Sequence, residues 1–523
     1  LPSSLTPMKL RLPVYLLSAL LACLSVTYAA DKSLDLSGNT KTATWNTTTA
    51  WNDGAAWADS DSATVKAAAD SSTLSITDET TIAGTNLTLS EGKLTVDSTG
   101  TSETTLLNLT GALTLTTGEL IFNNVKTTAA TATMSGATLS LFAGSTITTM
   151  NLTSGTNVLN TAGSTITTLN LNGGSAQLNN GTFGGIYVKT ANATTAFDLT
   201  GSATVNGSLI MHTGTLNFSE NTDVSLKIYL GLGQNGGGAM TLNMNGGKLT
   251  VLGHDSHTNS GTTFSIQLGN WGKTSTLNLA SGSILLEDMV ILAQGACTGT
   301  LHVSGDGFMG AKGIYVNRDV DGSNGVFNLD GGTVVLGVNG IRYAPKNSKS
   351  SYALNLSGGT LAASADWECA LNINLVEGSG APVNFDTTKY DVNSETQERT
   401  QTAATAAQIT LSGVLSGSGW LSTSGAGSLV LTGENKHTGG TIVTSGGTLK
   451  IASVAALGNG VTTIYRGGNL AATESFVSPV LSLDAGKRLD ITGTAGSANL
   501  SMGLALNTGS MLTVDVDALA GLK

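Results

Sequence analysis

Leu242-Asn243-Met244-Asn245-Gly246-Gly247-Lys248-Leu249 has a form that returns twice, as Phe327-Asn328-Leu329-Asp330-Gly331-Gly332-Thr333-Val334 and as Leu354-Asn355-Leu356-Ser357-Gly358-Gly359-Thr360-Leu361. Leu277-Asn278-Leu279 and Leu301-His302-Val303 are looser copies, and the starts at 242, 277, 301, 327 and 354 lie 35, 24, 26 and 27 residues apart. Apolar–Asn–apolar has the period of a strand, with both apolar side chains on one face and Asn on the other. Gly-Gly then permits the positive φ of a sharp corner, and a second short strand follows. Such a strand pair cannot bury its apolar face alone. Stacked copies can, each pairing with the coil above and below at about 4.8 Å.

A second repeat lies upstream. Ala143-Gly144-Ser145-Thr146-Ile147-Thr148-Thr149 recurs as Ala162 to Thr168, a shift of 19, and the copies run on into Met150-Asn151-Leu152 and Leu169-Asn170-Leu171. Helix signals are almost missing, because β-branched residues and Gly interrupt every window of useful length. These patterns predict an all-β chain, a right-handed parallel β-helix (β-solenoid). An antiparallel sandwich or a set of Greek-key domains is the alternative, but its turns come every 8–12 residues or so. About 25 residues per coil gives around 20 coils and a rod on the order of 90 Å long. The array replaces the three or four domains that 523 residues would otherwise imply.

Composition agrees with an array. Charged residues are 11%, against roughly 25% in ordinary soluble proteins, and the 67 glycines are almost twice their usual share. A disordered chain would be rich in Pro and charge, and collagen would place Gly at every third residue; neither holds. The net charge of −11, with no cluster of Lys and Arg, argues against nucleic acid as a partner. Cys23 lies in the leader, and Cys297 and Cys369 alone give neither a disulfide framework nor a zinc pattern.

Met8 to Ala30 read as a secretory signal. Lys9 and Arg11 supply the positive start, Leu12 to Val26 the apolar stretch, and Thr27-Tyr28-Ala29 a small-x-small site. Leu20-Leu21-Ala22-Cys23 offers a second reading, lipidation at Cys23. Trp45, Trp51 and Trp57, six residues apart, stand where an N-terminal cap belongs and read as core packing rather than a carbohydrate-stacking platform.

Residues 411 to 460 carry a resemblance. Leu411-Ser412-Gly413-Val414-Leu415-Ser416-Gly417-Ser418-Gly419 is followed by Gly425-Ala426-Gly427-Ser428-Leu429-Val430-Leu431-Thr432-Gly433-Glu434-Asn435. Gly439-Gly440-Thr441, Gly446-Gly447-Thr448-Leu449 and Ala455-Ala456-Leu457-Gly458-Asn459-Gly460 complete the run. This tenth of the chain resembles the autotransporter-associated β-strand repeat, or passenger-associated transport repeat, of bacterial autotransporters. The resemblance implies a β-helical passenger carried across the outer membrane to the cell surface, with an outer-membrane translocator as partner. Lys436-His437 depart from the family, in which an aromatic is common there. No translocator barrel is expected in this chain, since 63 residues after Gly460 are too few for eight strands.

The chain thus divides into a leader over 8–30, a Trp-rich cap over 31–66, coils over 67–376, a polar loop or linker over 377–408, the transport repeat over 409–472 and further coils over 473–523. No catalytic, cofactor-binding or metal-binding residue is assigned. Gly231-Leu232-Gly233-Gln234-Asn235-Gly236 and Gly305-Asp306-Gly307-Phe308-Met309-Gly310 open no helix and read as corners rather than dinucleotide sites. His254-Asp255-Ser256-His257 reads as a solvated loop. Asp319, Asp321 and Ser323 echo a calcium loop, but the sixth position, Asn324, is not Gly and the twelfth, Asp330, is not Glu. Arg318 and Arg342, 24 apart, would stack beside Asp319 and Asp321 if a polysaccharide lyase or glycosidase used this face. No second layer of acids follows, so these read as edge charges. The expectation is therefore a secreted, surface-exposed passenger with a structural or adhesive role, binding glycans or host or neighbouring cell surfaces. A β-helix lyase or glycosidase and a periplasmic or lipid-anchored scaffold are the alternatives.

Overall fold

The computed structural model describes residues 30–514 apart from 39–41, 46–50, 54, 56, 59, 78–80, 100–104, 162, 191–195, 234–237, 257–262, 270–273, 319–321, 345–349, 379, 445, 466, 474–479, 484–487, 493–498, 501–502 and 507–510. The leader, except Ala30, lies outside the described residues, as do Asp319, Asp321 and His257. Apart from a 3-10 turn at Val454–Leu457, every regular element described is a β-strand. The architecture is a repeat-like stack of parallel strands. Among the described residues only two pairings are antiparallel: Asp255–Ser256 with Thr263–Phe264, and Val383–Val392 with Arg399–Ala406.

The repeats read in the sequence stand in register. Thr146, Ile147, Met150, Asn151 and Leu152 lie opposite Thr165, Ile166, Leu169, Asn170 and Leu171. Leu216, Leu242, Leu277, Leu301, Phe327 and Leu354 form one continuous file across six rungs. Two files of strands run side by side: Val125–Ser135 pairs with Thr146–Ser154 and that with Thr165–Leu171, while Ala137–Ser140 pairs with Thr156–Asn160. Alternation sends Leu, Ile, Val, Met and Phe inward, and most of the inward residues are wholly buried. At about 1.5–3 kcal/mol for each fully buried large apolar side chain, these files are the main source of stability.

Rung length is not constant. The 35-residue step from Leu242 to Leu277 contains the short antiparallel pair at 255–264 as an excursion. Over residues 408–472 the rungs shorten: Ile409, Leu429, Leu449 and Leu470 are successive partners, 20, 20 and 21 residues apart. Corners depend on glycine. Gly332 has φ +65°, and a Cβ there would stand 2.2 Å from the Gly307 carbonyl oxygen.

The segment 377–408, expected as a polar loop or linker, contains a β-hairpin. Val383 to Asp386 pair in parallel with Leu421 to Ser424, and the strand then leaves the stack to pair with Arg399–Ala406. At the turn, Asn393 Oδ1 accepts from the Glu395 and Thr396 amides at 2.9 and 3.0 Å.

Candidate functional site

One face of the middle rungs carries a continuous polar column. Asp198, Asn217, Asn243, Asn278, His302, Asn328, Asn355 and Asn374 are register partners in sequence. Each lies one residue from a buried file, so alternation turns it outward, and all are at least partly exposed. Asn217 Nδ2 donates to Asp198 Oδ1 at 2.7 Å, Asn243 to Asn217 at 2.8 Å, and Asn278 to Asn243 at 2.9 Å. Beyond His302, Asn355 donates to Asn328 at 2.9 Å and Asn374 to Asn355 at 3.2 Å. Asn217, Asn243 and Asn355 thus each spend one N–H and one lone pair on their neighbours and keep one of each for solvent or ligand. A second, shorter column joins Ser140, Asn160 and Asn179 at 2.8 and 2.6 Å. Chemically, these columns are rows of paired donors and acceptors repeating about every 4.8 Å.

The hairpin folds back over earlier rungs. Glu398 Oε1 lies 2.8 Å from Lys248 Nζ, and this ion pair holds the carboxyl below its ordinary value of 4.5. Arg399 is 8% exposed, and its Nη2 donates to the Leu286 carbonyl at 2.8 Å while Nη1 donates to that of Gln397. Its side chain lies over Gly310, where a Cβ would meet Arg399 Cδ at 2.1 Å. Burial alone pushes this guanidinium down to about 10. Beneath the hairpin is a cleft of about 470 Å³, lined by Leu252, Glu287, Lys312, Val338, Gln397 and Arg399 among others.

The arginine pair weighed as a catalytic face does not form. Arg342 lies opposite Tyr315, and Arg318 lies opposite Ala344, because the register shifts between Tyr315 and Arg318. Arg342 is exposed and instead lines an open cleft of about 220 Å³ with Asp366 and Glu368. His254 Nδ1 lies 3.4 Å from Glu287 Oε2. No group of three or more His, Cys, Asp or Glu side chains among the described residues is placed to hold a metal. Cys297 and Cys369 are buried thiols not joined in a disulfide, and burial pushes Cys369 up to about 11.

The three cap tryptophans pack on one another with ring centroids 5.0–5.7 Å apart. Trp51 Nε1 donates to the Trp45 carbonyl at 2.9 Å and Trp57 Nε1 to that of Ala83 at 2.6 Å. Trp45 and Trp51 are buried, which leaves no open pair of ring faces for a sugar. Among the described residues the tryptophan that does face outward is Trp420, 44% exposed, beside Glu377 and Pro382 in a cleft of about 320 Å³. Its ring lies against Gly440, where a Cβ would stand 1.9 Å from Trp420 Cζ3. Nothing in the local pattern Gly419-Trp420-Leu421 distinguishes it from a buried aromatic, and sequence reasoning passed it by.

Set against known families, curated proteins and solved structures, the chain matches none of them.

Proposed function

We propose that this chain is a secreted, surface-exposed passenger of the autotransporter type, folded as a right-handed parallel β-helix, with a structural or adhesive rather than catalytic role. The observation that carries the reading is the polar column from Asp198 to Asn374, an outward row in register over eight rungs. Strand-to-strand pairing at one-coil separation, in two adjacent files, supports the helical winding. The leader and the repeat over 411 to 460 support export.

Adhesion by such a row is multivalent. Six of the eight rungs offer a carboxamide of modest affinity, and an extended glycan or a neighbouring cell surface engages many at once. Net charge of −11 keeps the partner class away from nucleic acid. Protease shaving of intact producing cells tests the reading. Release of peptides from 31 to 523 without lysis is the expected result. Release only after the outer membrane is broken assigns the chain to the periplasm and overturns surface exposure.

A further inference from the structure

Ala30 is held from both sides. Its carbonyl accepts from the Ser62 amide at 3.0 Å, and its nitrogen donates to Asp61 Oδ1 at 3.0 Å. Asp61 is 3% exposed, and its other oxygen accepts from the Ala58 amide at 2.9 Å and lies 3.4 Å from Lys32 Nζ. Lys32, 2% exposed, pairs with Asp53 at 2.7 Å. With an amide at Ala30 this cluster holds two carboxylates and one ammonium. One negative charge is left over beside a carboxylate shut away from water, an arrangement that folding disfavours.

The missing cation is written in the leader. Thr27-Tyr28-Ala29 places small residues at the two positions a signal peptidase reads, and the bond that follows is Ala29–Ala30. We propose that the leader is cut between Ala29 and Ala30, and that the freed Ala30 ammonium becomes the second cation of the Lys32–Asp53–Asp61 cluster. Water adds across the amide bond: Ala29 leaves with the new carboxylate, and the Ala30 nitrogen takes up a proton to become the ammonium. The peptidase acts on the unfolded chain during export, so the cluster closes only afterwards. Cutting one residue later would discard Ala30 and leave Asp61 Oδ1 without its donor. Removal of the leader thereby neutralises the buried charge in the first rung, where Asp31–Leu36 pairs with Ser62–Ala67.

The inference rests on export, and the test separates the two. Intact mass and N-terminal sequencing of the full-length protein recovered from producing cells are expected to show Ala30 as the first residue. Asp31 or a lipidated Cys23 at that position overturns the cleavage site and leaves export standing; a chain still carrying residues 8–29 overturns both. A free α-amine titrates near 7.7–8.0, and Asp61 and Asp53 raise that value while Lys32 opposes them. At pH 7, where both amines are mostly protonated, the Ala30 amine is therefore expected to acylate several-fold more slowly than in Asp61→Asn. Equal rates in the two proteins overturn the pairing.

Discussion

The rungs over 196–376 and those over 408–472 bury similar files of Leu, Val and Ile, and both turn through positive-φ glycines, but their strands differ in length and in what satisfies the backbone between them. In the middle region strands are long, up to the 21 residues of Asn324–Ala344, and they bend through glycines such as Gly332 with positive φ. In the later region strands shrink to about four residues, and part of the backbone between them is satisfied by a buried side chain. Asn435 Oδ1 accepts from the Leu415 amide at 2.8 Å, and its Nδ2 donates to the Ala456 carbonyl at 2.6 Å. One carboxamide thus ties three rungs together. His437 is wholly buried and lies 3.0 Å from Thr441 Oγ1 through Nε2. The column asparagines therefore work outward while Asn435 works inward, and a carboxamide is worth more where water cannot replace it.

The first way to break that contrast is at a middle corner. Gly332→Val combines a left-handed φ with a Cβ against backbone, and is expected to cost about 3 kcal/mol or more. Hydrogen exchange is the measurement, since loss of protection should spread to the rungs of Gly307 and Gly359 and fade beyond them. Asn435→Ala follows, at about 2–3 kcal/mol, because it strands a buried donor and acceptor. Its exchange signature should appear at Leu415 and Ala456. The outward counterpart, Asn243→Ala, is expected to cost only about 1 kcal/mol, since water replaces the lost partners. A cost for Asn243→Ala equal to that of Asn435→Ala would erase the distinction between the two regions.

The hairpin sharpens the comparison, because it bridges from the later part of the chain to the middle rungs. Arg399→Met removes the bond to the Leu286 carbonyl, and limited proteolysis within 393–398 is expected to accelerate several-fold. A smaller, pH-dependent effect comes from Glu398. Its folded-state value is depressed by Lys248, so the latch is present above the ordinary value of 4.5 and is lost as pH falls through the lower folded value. Proteolysis of the turn should therefore rise only below about pH 4.5 and should also rise with salt. No change across that window would show that Arg399 alone holds the hairpin.

The stack was legible because its signal is local: Leu242, Leu277, Leu301, Phe327 and Leu354 announce their own register through spacing. Spacing failed where the strands carry irregularities. Arg318 and Arg342 are one nominal coil apart, yet the register shift after Tyr315 puts Arg342 elsewhere. The hairpin was illegible for a different reason. Its polar residues look like a linker, and what fixes them is a carbonyl 113 residues away and an ammonium 150 residues away. Composition contains no trace of such contacts. Of the candidate adhesive face, the Asn–Leu alternation was visible, but its continuity through Asp198 and His302 emerged only from pairing.

The register of Thr146–Leu152 on Thr165–Leu171 has an evolutionary consequence. A stretch of genetic material encoding one nineteen-residue period can be gained or lost by unequal recombination between two nearly identical copies. Because each rung touches only the rung before and after it, the seam closes on the same side chains it had before. Natural variants of this chain are therefore expected to differ in length by whole nineteen-residue periods near residues 143–168, with the flanking rungs unchanged.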